Sequence, residues 1–241
     1  MKRKSWAIAA LAILALVACN NAGDKTTPST TDSSSAMPAT AAVEPAVPKL
    51  AAPFDIVEIN HAVKDYDKWR PAFNSDSTAR KASGLEDMVV ARSVDNPNSL
   101  LVTLKVSDME KAKAFAADPR LKDVMEKNGV ISKPDINYFH VIRVNPDSKE
   151  NQWVQITHKV KDFDAWVKVF DAEGTATRAS FGLVDVVLSR GIPDSNLVHL
   201  VFDIKDMTKA KARMNDPALK KLMTDAGVIS APKIEFYNTA E

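Results

Sequence analysis

From Phe54 to Val63 apolar and polar residues alternate, with Val57, Ile59, His61 and Val63 on one face and Glu58 and Asn60 on the other. A period of two predicts a strand with one face against a core. The pattern returns at Val154, Ile156, His158 and Val160, set against Gln155 and Thr157. Each strand runs into a histidine phrase, HAVKDYDKW at 61–69 and HKVKDFDAW at 158–166. Asp65 and Asp162 stand where a helix N-cap belongs, and a second Asp two residues on suits the positive helix end. Trp69 and Phe73, like Trp166 and Phe170, are four apart and share one helical face. These helices are expected to stop near Gly84 and Gly182.

Beyond each glycine the period returns to two. EDMVVARS and SLLVTLKV read as strands joined by VDNPN, and VDVVLSRG and NLVHLVFDI are their counterparts around IPDSN. A second helical stretch begins at Asp108 or Asp206. It is capped again at Asp118 or Asp216, with proline at the first helical position, and ends at Gly129 or Gly227. INYFHVIRV and IEFYN supply a last strand. The order in each half is β-α-β-β-α-β, the ferredoxin-like split unit, and the fold class is α+β.

The halves are copies of one another at an offset of 97, which becomes 98 after one residue is inserted near Gly174. RKASGLEDMVVAR at 80–92 answers RASFGLVDVVLSR at 178–190. Two copies of about 90 residues are too few for a solenoid, and each is long enough to be a small domain. Helices cover one face of such a sheet and leave the other needing a partner, which the same chain supplies. Two tandem units packed sheet to sheet are therefore expected, over residues 54–147 and 152–241, with the chain a monomeric pseudo-dimer.

The phrase H-x-V-K-D-[FY]-D-x-W-x-x-x-F, the following R-x-x-x-G-L and the closing D-P-x-L…G-V…P resemble single-unit members of the dimeric α+β barrel superfamily. The nearest likeness is to its antibiotic-biosynthesis-monooxygenase-like, or cyclase-like, group. The resemblance covers roughly residues 54–143 and 153–238, and it implies an intramolecular version of the usual dimer. It implies no single activity, because that superfamily includes cofactor-free oxygenases, haem enzymes, stress proteins and plain binders.

Before Phe54 the material changes. Lys2, Arg3 and Lys4 precede the apolar run Trp6–Ala18, too short to cross a hydrocarbon core of about 30 Å but suited to a secretory h-region. Leu16-Val17-Ala18-Cys19 resembles the lipobox of bacterial lipoproteins. That resemblance implies cleavage before Cys19 and lipidation of it, hence membrane anchoring, and Asn20 in place of Asp implies the outer membrane under the common Gram-negative sorting rule. Residues 1–18 are read as the lipoprotein signal. Residues 19–53, dominated by Ser, Thr, Ala and Pro, are read as a disordered tether reaching roughly 30–35 Å as a flexible coil. Cys19 is the only cysteine, which excludes disulfides and Cys-rich zinc sites. Losing the signal removes three positive charges and no negative ones, so the formal net charge of +1 becomes −2. So small a charge gives no long-range field for nucleic acid.

His61 and His158 are the sharpest candidates for chemistry. Each closes an apolar strand face just before a helix cap, and an imidazole titrating near neutrality makes proton transfer available. They are candidate catalytic residues and candidate ligand contacts, set against a structural role bonded to backbone or to the following Asp. Asn60 and Thr157, with Glu58 and Gln155, form the polar strand face. If the apolar face packs on helices, this face points into the barrel and suits a small polar or amphiphilic ligand. Arg92 and Arg190 in the second strands, and Arg80 and Arg178 read as lying on the tryptophan helices, are repeated cations able to hold an anion. The aromatic pairs are expected in the core. His140 and His199 have Asn238 and Leu101 as counterparts, and no HExxH phrase, CxxCH, P-loop or GxSxG is present, so no metal and no cofactor is expected. The expectation is a lipid-anchored protein of the cell envelope, on the periplasmic or surface side, that binds a small molecule or a protein without catalysis. The alternative is a cofactor-free small-molecule monooxygenase or isomerase with His61 or His158 as base.

Overall fold

The computed structural model describes residues 53–240. The readings of the signal at 1–18, of Cys19 and of the tether as far as Ala52 lie outside the described residues. The first half runs β1 (Phe54–Ala62), α1 (Tyr66–Ser75), α2 (Ser77–Ala82), β2 (Leu85–Ser93), β3 (Ser99–Val106), α3 (Met109–Ala116), α4 (Pro119–Lys127) and β4 (Asp135–Val144). The second runs β5 (Gln152–Lys159), α5 (Phe163–Glu173), α6 (Thr175–Ser180), β6 (Leu183–Ile192), β7 (Leu197–Ile204), α7 (Met207–Met214), α8 (Pro217–Asp225) and β8 (Lys233–Thr239).

The capping chemistry is as the sequence implies. The Asp65 carboxylate accepts from the backbone N–H groups of Asp67 and Lys68 at 3.0 and 3.2 Å, and Asp162 from that of Ala165 at 2.9 Å. The single helix expected as far as Gly84 is, however, two. Asp76 leaves the helix with ψ of 6°, and Gly174 leaves it with φ of 80° and ψ of 150°. α5 has 11 residues where α1 has 10, so the inserted residue is absorbed at this break. Arg80 and Arg178 therefore sit on α2 and α6, not on the tryptophan helices. Gly84 then turns the chain at φ 73°, where an added Cβ would lie 2.8 Å from the Asp108 Cβ. Only glycine lets β2 start this close to the cap of α3.

Within each half the strands lie in the order β4-β1-β3-β2 or β8-β5-β7-β6, all antiparallel. The halves join at their edges, β2 to β8 and β4 to β6, and close one eight-stranded barrel. Edge pairing leaves no strand of the eight with an open side. The chain is thus two tandem ferredoxin-like units forming an intramolecular α+β barrel. The seams are unequal: Ala91–Ser93 meets Tyr237–Thr239 at one, while Tyr138–Val144 meets Val187–Ile192 at the other.

Strand alternation sorts the core into two kinds. Outward residues of β1 and β5 pack under the helices, with Val57, Trp69 and Leu104 in the first half and Val154, Trp166 and Phe202 in the second. Inward residues fill the barrel, with Leu101, Trp153 and Tyr237 at one side and Ile56, Phe139 and Val141 at the other. Burying each such side chain stabilises the fold by about 1.5–3 kcal/mol.

Candidate functional site

Between the sheet and the helices each half keeps a chamber. The first is about 740 Å³ and is lined by Val57, Ile59, His61, Trp69, Phe73 and Tyr138, among others. The second, about 430 Å³, carries the counterparts Ile156, His158, Trp166 and Phe170. The alternation of β1 places His61 on the helix side, next to Trp69 with ring centroids 5.4 Å apart, and His158 meets Trp166 in the same way at 5.3 Å. The tryptophans and phenylalanines are therefore both core and chamber wall.

Both histidines are buried, and among the described residues neither ring nitrogen of either has a hydrogen-bond partner. Burial pushes each imidazole from 6.5 down to about 4. The backbone of Ile59 offsets a little of the shift for His61, without reaching hydrogen-bond geometry. The expected bond to backbone or to the following Asp is absent, because Asp65 and Asp162 are turned to their helix N-termini. At neutral pH each chamber therefore has an uncharged imidazole in its wall, with both nitrogens buried and unpartnered among the described residues. It can donate one hydrogen bond and accept another, in otherwise apolar surroundings.

The repeated arginines are already committed. Arg80 donates to both Asp87 oxygens at 2.7 Å and to the Phe73 carbonyl at 2.7 Å, and lies 3.7 Å over the Phe73 ring. Arg178 grips Asp185 and the Phe170 carbonyl in the same manner. Neither is free for the anion considered from sequence. Arg92 donates to the Pro97 carbonyl and stacks on Tyr66, and Arg190 does so on Ser195 and Phe163. These two secure the β2–β3 and β6–β7 turns and do not line either chamber.

Asn60 faces the lumen, where its side-chain oxygen accepts from the Tyr237 hydroxyl at 3.0 Å. Thr157, its counterpart, pairs across the sheet with His199. The candidate residues therefore divide. His61 and His158 open into chambers on the helix side, Asn60 and Thr157 turn into the barrel, and Arg92 and Arg190 brace loops. Adjacent residues of a strand point to opposite faces, so Asn60 and His61 cannot serve one ligand.

The lumen contains a polar group that the sequence reading did not assemble. Glu58 and Gln155 hold the same place in the two copies, and they meet, Gln155 Nε2 donating to Glu58 Oε2 at 2.7 Å. His199 Nε2 lies 3.1 Å from the other carboxylate oxygen, off the line of a hydrogen bond, with its ring stacked on Phe139 at 4.4 Å. Ser189 sits opposite His199 on the neighbouring strand. Gln155 Oε1, Ser189 Oγ and His199 Nδ1 have no partner among the described residues. The polarity of Glu58 and Gln155 was visible in the sequence. Their meeting was not, because it depends on where the pseudo-twofold axis crosses the strands.

No family model and no curated protein matches the chain. Solved structures match it in fold. A candidate monooxygenase from Lactobacillus acidophilus NCFM aligns with a TM-score of 0.50 over 77% of this chain and 94% of its own, at 14% identity. An anthrone oxidase-like protein gives 0.51 over 78% and 92%, also at 14% identity. A candidate chlorite dismutase, TA0507, gives 0.50 over 78% and 95%, at 12% identity. At such identities the likeness establishes the barrel fold alone.

Proposed function

We propose that this chain is a lipid-anchored protein of the cell envelope that binds a small, largely apolar molecule between sheet and helices, without catalysis. The observation that carries this reading is His61, 5% exposed, unpartnered at both nitrogens and set in the wall of an apolar chamber of about 740 Å³. That volume falls within the range of small-molecule sites. A buried polar group left without a partner costs about 1–3 kcal/mol, and a ligand bearing one polar group would satisfy it.

Two features weigh against a catalytic base. A base held at about 4 is weak at neutral pH, whereas an effective one lies near the working pH. Among the described residues no carboxylate bonds to either ring to orient it, as the base of a proton-transferring pair is oriented. The oxidase and monooxygenase names of the fold neighbours belong to proteins at most 14% identical, so the oxygenase alternative gains nothing from them.

Native mass spectrometry of the protein taken gently from its host tests the binding reading. A retained small-molecule mass is expected, and it should be lost on replacing His61 with Leu. Recovery of ligand-free protein that also fails to take up any apolar probe would overturn the reading. The anchor rests on the basic head, the short apolar run and Cys19. Cys19→Ser should leave the product uncleaved or soluble, and normal processing with membrane retention would remove the lipoprotein part of the proposal.

A further inference from the structure

The two chambers are built on the same repeat, yet one is little more than half the volume of the other, about 430 against 740 Å³. The difference is written in matched positions. Where the first chamber has Leu104 and Ala116, the second has Phe202 and Met214. Where the first has Ala72 and Val102, the second has Val169 and Leu200. These four exchanges enlarge the side chain in the second copy, whereas the matched lining positions that shrink there, Glu126 to Thr224, Asn128 to Ala226 and Lys133 to Ala231, carry exposed side chains in the first copy. Interiors are close-packed, so added side-chain volume is taken from the cavity.

Charge separates the chambers further. Phe115 lines the first, and its counterpart in the second is Arg213. Arg213 donates to Glu173 at 2.6 Å, Glu173 also meets Arg178 at 3.3 Å, and the Arg213 guanidinium lies 4.4 Å over Phe181. All three ionic side chains are at most 14% exposed. A ligand entering there must push between well-buried, mutually paired charges, and it would leave them unpaired and desolvated. In the first chamber Arg80 is bound away to Asp87, Phe115 offers only apolar surface, and the other charged lining residues, Asp76, Lys122, Glu126 and Lys133, are half-buried or exposed.

We infer that the chain binds one ligand and not two: the first chamber takes a single uncharged, mainly apolar molecule with a polar group that the His61 ring can turn to meet, and the second, narrower and crossed by buried ion pairs, takes none. The inference rests on the small-molecule-binding reading and adds occupancy and ligand class to it. Duplication supplies two equivalent sites. Bulk and an ionic clasp then turn one of them into scaffold, while both histidines persist.

The test uses the full chain and the neutral probe N-phenyl-1-naphthylamine, an apolar molecule with one amine donor. Native mass spectrometry counts bound probe per chain, and titration gives affinity. One probe per wild-type chain is expected. Leu104→Phe with Ala116→Met, which copies the second chamber into the first, should weaken binding at least tenfold. Phe202→Leu with Met214→Ala, which copies the first into the second, should raise the count to two. Thermal melting of each variant shows that it is folded, and the opening variant tests the inference even where the filling variant is unstable. Two probes on the wild type, or one that survives filling of the first chamber, would overturn the inference and leave the binding reading standing. No binding by any of the three proteins would remove both.

Discussion

His61 and His158 give the fold no side-chain hydrogen bond among the described residues. Each is buried with no partner and held near 4, against 6.5 in an unfolded chain. Between those values the unfolded chain takes up a proton that the folded chain refuses. Stability is therefore intact above pH 6.5 and falls as pH drops toward 4. At about 1.4 kcal/mol per pH unit the full loss is about 3 kcal/mol for each histidine, as an upper figure. Urea unfolding at pH 7, 5.5 and 4 should show this decline, and His61→Gln should flatten it. An unchanged slope in the variant would show that His61 is not the buried titrating group. The sequence singled out these residues because they repeat, and repetition is blind to polar clusters made by unrepeated residues. His199 and Ser189, whose counterparts are Leu101 and Ala91, were passed over for that reason.

The elements follow from alternation and capping almost throughout. β1 and β5 have the faces that their period of two requires, and the aspartates cap the helices as their positions imply. The break between α1 and α2 was not legible. Asp76 is neither Gly nor Pro, and a ψ of 6° leaves no mark on hydrophobic spacing. The chambers were not legible either, since a cavity is what side chains leave over and only the packed structure fixes the remainder. Trp69 and Trp166 bind the tryptophan helices to the sheet, so truncation to Ala should cost roughly 3–5 kcal/mol. Trp69 and Trp166 are equally buried, at 4% exposure, and make matching ring contacts, so the two truncations should cost about the same. Asp65→Ala, which removes two cap hydrogen bonds and an exposed ion pair with Lys68, should cost about 0.5–2 kcal/mol. Denaturant midpoints rank the three, and a cap variant as damaging as Trp166→Ala would contradict the assignment of the motif to packing.

At the scale of the whole molecule the question is why one chain should hold both halves. A lone first half would expose the edges of β2 and β4 and the lumen face of Ile56 and Phe139, and unpaired strand edges recruit partners. The obvious partner is a second copy, which would close the same barrel. In that homodimer, however, the place of the Glu58–Gln155 contact would hold Glu58 against Glu58. Two carboxylates sharing one buried site cannot both stay ionised. The second half alone would set Gln155 against Gln155, which two amides can satisfy by donating and accepting. Residues 54–147 by themselves should therefore dimerise poorly at pH 7, and Glu58→Gln should restore the dimer. Residues 152–241 should dimerise, and an equimolar mixture of the two halves should favour the one-to-one complex that recreates the amide–carboxylate pair. Size-exclusion chromatography with light scattering distinguishes these species. A stable monomeric half would refute the shared barrel, and equally tight dimers with and without Glu58→Gln would show that pairing is set by the strand edges and not by the contact at the axis.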